Sequence, residues 1–460
     1  MRTERLVRHS LRGPESTSSH HDSLGKRARS CRGKARPIIL FISLLLLIPA
    51  YAKGQSIKEN LVKADKLFEE GKFAEAKAVY ADVAKTDPDN YQAVLSLGRI
   101  NLYENSLKES EEWLKKAIEL NPEEKEPKAL LAEACYRQDN FREAAPLFRA
   151  IDRIPRADKF EYFAEKVPYQ IESGVDVTSV EFVQTDPLPV VKMRINNSEE
   201  VLFLIDTGGW ELIIEDEFAK EVDAMRFGGQ EGTFAGGKKA THFEGTVDQV
   251  QIGDFTVRNV PVSISERSGA MFAMFGMPIR GIIGTVFLYH FIFTLDYPDG
   301  KLILQRKTKE NIGKVKKHLE AKKSIVVPFW MAGDHFMVAW GTVNGSKPLL
   351  WFVDTGLAGG GFLGSDRTVK EAGIQLPEES FEGEGGGGKV SVKPAMVDEL
   401  TLGDAKEKNV MGIFGAFGST GIEYEFGFRI GGIISHGFFR PYKLTFDFTT
   451  MNLILERTEG

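Results

Sequence analysis

Cysteine is almost missing from this chain: 460 residues hold two, Cys31 and Cys135. So few exclude a disulfide-stapled fold and a cysteine-rich zinc module. Histidine is sparse too. Past residue 52 it stands at His242, His290, His318, His335 and His436, with no metal-ligand spacing among them. No G-x-S-x-G occurs, so the nucleophile elbow of a serine hydrolase is absent. Positive charge is not in excess either. The chain carries 59 Lys/Arg against 65 Asp/Glu, which offers no basic patch for a nucleic acid. Neither a metal nor a cofactor is implied.

What is present begins with a segment to set aside. Residues 1–36 hold ten Lys/Arg and three Asp/Glu, an apolar run fills residues 38–48, and Ala50-Tyr51-Ala52 follows. A positive stretch, a short apolar stretch and a small-x-small site make a secretory signal peptide over residues 1–52. A run of eleven residues, all apolar but Ser43, is too short to span a bilayer comfortably. A periplasmic or secreted protein is therefore expected, with membrane association only if the segment is kept. Cys31 leaves with it, so Cys135, on an apolar helical stripe, is read as a core residue.

Residues 53–154 carry a 34-residue period. Phe73, Leu107 and Phe141 keep it, as do Tyr80, Leu114 and Phe148, and Ala64, Gly98 and Ala132. Turn residues Gly71, Asn105 and Asp139 repeat on the same beat. Small residues where helices cross, with aromatics close by, describe a helix–turn–helix repeat. The region resembles tetratricopeptide repeats, departing at Asn101, where the middle repeat lacks the first-helix aromatic. Such repeats imply a protein partner, or else a folded spacer. Residues 155–178 are polar and irregular and read as a linker or docking segment.

From there the pattern turns to short apolar strands and frequent glycines, an all-β architecture. It occurs twice. Val201-Leu202-Phe203-Leu204-Ile205 runs into Asp206-Thr207-Gly208, and Leu349-Leu350-Trp351-Phe352-Val353 into Asp354-Thr355-Gly356, 148 residues later. Each unit then shows a glycine-rich stretch, at residues 228–237 and 383–388, and a strand ending in Gly-Asp, at Gly253-Asp254 and Gly403-Asp404. Each closes on a Gly-Ile-Ile segment and a final strand of matching sequence. Residues 179–306 and 324–460 are thus a duplicated domain. The charged residues 307–323 between them read as a solvated helix or strap.

One Asp-Thr-Gly is an ordinary turn, since Asp and Gly are favoured there. Two at matching places in a duplication suggest paired carboxylates. Held about 3 Å apart, such a pair cannot ionise fully, so it shares one proton and supplies both an acid and a base. Gly208 and Gly356 would admit backbone N–H groups close to the carboxylates. Thr207 and Thr355 would hydrogen-bond into the opposite turn.

On these motifs residues 179–457 resemble the retropepsin-like and pepsin-like aspartic peptidases, with Ile282-Ile283-Gly284 matching the apolar-apolar-Gly segment of that family. The resemblance implies a double-lobed β fold, catalytic Asp206 and Asp354, a peptide or protein substrate, and glycine-rich flaps, the first carrying Phe234. Three positions depart from the pattern: Ser435 replaces the second glycine, and Gly209 and Leu357 replace the small or hydroxyl residue usual after each turn. A second reading keeps the fold and drops catalysis, leaving a peptide-binding or scaffold protein that acts through its repeats. The runs at residues 359–364 and 383–388 satisfy G-x-G-x-x-G outside any strand–turn–helix context, so no dinucleotide site is expected.

Overall fold

A computed structural model describes residues 39–234, 238–266, 275–321, 324–385, 388–416 and 422–457, with residues 39–53, 233–234, 238, 240, 321, 384–385 and 388 given through their backbone. Most of the expected signal peptide, residues 1–38, lies outside the described residues. Residues 1–54 form one unit and residues 55–460 another. Among the described residues, no helix is long and apolar enough to cross a membrane.

Among the described residues seven helices come first: α1 (Ile39–Glu69), α2 (Phe73–Thr86), α3 (Tyr91–Tyr103), α4 (Leu107–Leu120), α5 (Lys125–Tyr136), α6 (Phe141–Ala150) and α7 (Ile154–Tyr162). The 34-residue beat is visible in their boundaries. Phe73, Leu107 and Phe141 each open the second helix of a repeat. The residue two before each of them has a positive φ, at 74° for Gly71, 58° for Asn105 and 57° for Asp139. Glycine, asparagine and aspartate reach that left-handed region most cheaply. Gly98 is needed for close approach instead, because a Cβ there would lie 2.7 Å from the Leu114 side chain. Asn101, the departure from the repeat pattern, is buried and donates from Nδ2 to the Leu97 carbonyl at 2.7 Å. Its polarity is satisfied within its own helix.

The expected linker at residues 155–178 is ordered structure. It contributes α7, a strand Gln170–Glu172 paired with residues 256–258, and the start of a strand Val177–Glu181. Polar composition misled the reading for a physical reason. Arg156 and Lys159 on α7 are buried in ion pairs rather than solvated, and Ala157 and Phe160 fill the spaces between.

Two eight-stranded sheets form the lobes, and a six-stranded sheet joins them. At its centre the next-to-last strands of the two units, Phe291–Asp296 and Tyr442–Asp447, run antiparallel. Thr294 and Thr445 face each other there, with their hydroxyls 2.7 Å apart. The charged inter-lobe segment forms a helix, Lys309–Ala321. Each lobe raises a long hairpin, Met225–Phe234 with Lys238–Ile252 and Phe381–Gly385 with Gly388–Leu402. The tips, residues 235–237 and 386–387, and the Phe234 side chain expected in a flap, lie outside the described residues.

The repeats are not a free-standing arm. Phe68, Phe73 and Tyr103 cluster around Phe428 of the second lobe, with ring centroids 4.9 to 6.0 Å away. The Phe73 ring also lies 5.4 Å from that of Trp330. Farther along the array, Asn105 donates to the Phe448 carbonyl at 3.2 Å, and His290 Nε2 sits 3.0 Å from Asp139. Each large apolar side chain so buried contributes about 1.5–3 kcal/mol, so this contact is part of the folded core.

Candidate active site

The strand Val201–Ile205 pairs in parallel with Ile279–Ile283, and the strand Leu349–Val353 with Ile430–Ile434. Parallel pairing delivers the chain ends that follow them to one place. The backbone N–H of Asp206 donates to the Ile283 carbonyl at 3.2 Å, and that of Asp354 to the Ile434 carbonyl at 3.1 Å. The Gly-Ile-Ile segments noted in the sequence are therefore the rails beside both turns.

The two turns are locked to each other. Thr355 Oγ1 accepts the Thr207 N–H at 3.0 Å, and Thr207 Oγ1 accepts the Thr355 N–H at 3.0 Å. Thr207 Oγ1 also donates to the Val353 carbonyl at 3.2 Å. Both threonines are fully buried. Thr285, which the sequence reading missed, supports the first turn by donating to the Thr207 carbonyl at 2.7 Å.

Within each turn the glycine N–H serves the aspartate. Gly208 N donates to Asp206 Oδ1 at 2.8 Å, and Gly356 N to Asp354 Oδ1 at 2.7 Å. Across the pair there is no space for a side chain: a Cβ on Gly208 would lie 2.4 Å from Asp354 Cγ, and one on Gly356 would lie 2.1 Å from Asp206 Cγ. All six residues singled out in the sequence thus converge.

Asp206 and Asp354 share a hydrogen bond. Burial raises the pKa of Asp354 well above the carboxylate range, and the negative charge of Asp206 adds to the rise. Burial raises Asp206 as well, while hydrogen bonds from Asp354 and Gly208 oppose it. The pair therefore favours a single shared proton, with Asp354 the better proton holder. Such a pair can accept a proton from water and donate one to a carbonyl oxygen in the same event.

The sequence departures are structurally linked. Ser435 is fully buried, and its hydroxyl accepts the Leu357 N–H at 3.0 Å. His436 leaves the strand and places Nε2 3.1 Å from Asp186, away from any pairing with Ser435. Next to the first turn lies a buried ionic cluster that the sequence did not reveal. Lys159 Nζ reaches Glu211 at 2.8 Å and also pairs with Glu244, and Tyr136 donates to Glu211. Arg156 meets Asp334 at 3.1 Å. Burial alone would raise Glu244, but Lys159 and Arg156 outweigh it and hold Glu244 low. Among the described residues, no group of His, Cys, Asp and Glu is arranged to hold a metal ion.

With this geometry in view, residues 191–288 match the family model described as gag-polyprotein putative aspartyl protease, and residues 339–420 match the model described as aspartyl protease. Residues 61–125 match the tetratricopeptide repeat model. No curated protein matches the chain. The chain therefore joins tetratricopeptide repeats to a two-lobed, retropepsin-like aspartic peptidase fold, with the two aspartyl protease matches falling one in each lobe.

Proposed function

We propose that this chain is an aspartic endopeptidase in which Asp206 and Asp354 activate a water for attack on a peptide carbonyl. One observation carries the reading: two half-buried carboxyl groups set against each other, each taking the N–H of its own turn's glycine, in turns that lock each other. Asp206, ionised, takes the proton of the water. Asp354, protonated, gives its own to the carbonyl oxygen as the tetrahedral species forms, and nothing covalent links substrate to protein. The glycine-rich hairpins would close over the substrate strand and exclude water. Incubating the purified chain with a peptide library, with and without a statine-type transition-state analogue, tests this. Cleavage abolished by the analogue is expected. A library left intact under acidic and neutral conditions alike sinks the reading.

We also propose that the protein is exported, from the basic residues 1–36, the apolar run and Ala50-Tyr51-Ala52. N-terminal sequencing of the protein recovered from cells should start near Lys53. Recovery of Met1 contradicts export by this route.

A further inference from the structure

Trp210, His242 and His335 lie together beside the dyad. The Trp210 ring is 5.4 Å from that of His242 and 6.3 Å from that of His335, and Trp210 stands four residues after Asp206 on the loop that leaves the first turn. One comes from the loop leaving the first Asp-Thr-Gly, one from the first hairpin and one from the second lobe, so together they mark one end of the cleft. Helix α7 is packed behind that end. Lys159 links Glu211, on the same loop, to Glu244, on the same hairpin. Arg156 lies between Glu211, at 4.0 Å, and Asp334 of the second lobe, at 3.1 Å. Lys159 is 0% exposed, Glu211 1% and Glu244 4%. Pro155 against Gly228 and the Tyr162 ring 5.9 Å from Phe227 extend this packing toward the hairpin.

The duplication supplies the comparison. Val190 pairs with Leu204 and Val338 with Phe352, each two residues before an aspartate, so Asp186 is the counterpart of Asp334. By the same register Gly359 corresponds to Glu211. Thr246 opposite Pro261 corresponds to Met396 opposite Met411, which makes Pro394 the counterpart of Glu244. No helix of the described residues lies there as α7 lies on the first lobe. The Asp186 side chain is 51% exposed, and Met396 and Met411 are 48% and 42% exposed. Among the described residues, one end of the cleft is walled and its twin is not.

We infer that α7 makes the cleft one-ended, so that substrate is gripped along several residues on one side of the scissile bond and along very few on the other. An extended chain advances about 3.3 Å per residue, and at the walled end it meets a cluster whose charges would lose their partners if displaced. Binding energy from remote residues, which aspartic chemistry would use to raise kcat/KM, is then available from one direction. Arg156 and Lys159 act as specificity-determining residues without touching the reacting atoms.

This inference rests on the peptidase reading, and its test separates the two. Starting from any peptide the chain cleaves, residues are added singly to either side of the scissile bond, and kcat/KM is measured. The same sequences carrying a statine at the cleavage position are titrated by calorimetry. Lengthening toward the open end should raise kcat/KM and inhibitor affinity by about tenfold or more over four residues, while toward the walled end the gain should stop after about two. Equal gains on both sides through four residues overturn the one-ended cleft and leave the peptidase intact. Failure of every peptide to be cleaved, and of every statine to bind, removes both. Arg156→Met should lengthen the tolerated short side. If that variant does not fold, the series on the unaltered protein still decides.

Discussion

Ser435 offers its hydroxyl oxygen to the backbone N–H of Leu357 at 3.0 Å, so two departures from the aspartic peptidase pattern are partners. The matching residue of the first lobe, Gly284, has no room for this: a Cβ there would lie 2.3 Å from the Glu211 carbonyl oxygen. The second lobe has room and uses it to fix the loop that leaves Asp354. Ser435→Ala should leave the amide without its acceptor, cost about 1–3 kcal/mol and reduce kcat/KM several-fold. Denaturant unfolding and steady-state kinetics check this. Unchanged stability and rate would make the bond incidental.

The reciprocal threonine pair should behave as one unit. Thr207→Val and Thr355→Val each remove one hydroxyl and strand the opposite N–H, at about 1–3 kcal/mol apiece. Because the two hydrogen bonds depend on the same loop register, the double variant should lose less than the sum. Thr207→Ser, which keeps the hydroxyl, should restore most of the stability. Strictly additive losses in unfolding experiments would mean that the turns are held independently.

The pH profile follows from the direction of the two shifts. Activity needs one proton on the pair: below the lower pair value both carboxyls are protonated and the base is lost, and above the upper value both are ionised and the acid is lost. Burial raises both groups, and Asp206 raises Asp354 further. Neither Gly209 nor Leu357 carries a hydroxyl to stabilise the ionised form. The bell should therefore centre above the ordinary carboxylate range of about 4. Gly209→Ser and Leu357→Ser should draw the upper limb downward. An optimum below about pH 3.5 contradicts this description of the pair.

Much of this arrangement was legible in the sequence, because tight local constraints repeat there. The left-handed turns at Gly71, Asn105 and Asp139 and the sterically required glycines at 208 and 356 admit few residue types, so they announce themselves twice or three times. Thr285 and the cluster around Lys159 were not legible. A buried lysine is spelled like an exposed one, and its partners Glu211 and Glu244 lie 52 and 85 positions away along the chain. The polar stretch at residues 155–178 was misread for the same reason: composition reports charge but not whether the charge is paired. Nor did the 34-residue period reveal that Phe73 and Tyr103 would pack on Phe428 of the chain's own second lobe.

The most direct test of the shared-proton pair is the set Asp206→Asn, Asp354→Asn and the double variant, assayed on one cleaved peptide. Each single change should lower kcat by about a thousandfold or more, and the double variant should be hardly worse than either single one, since a lone carboxyl cannot fill both roles. Partial losses that add in the double variant would show two carboxyls acting separately, and the account of a shared proton would be wrong.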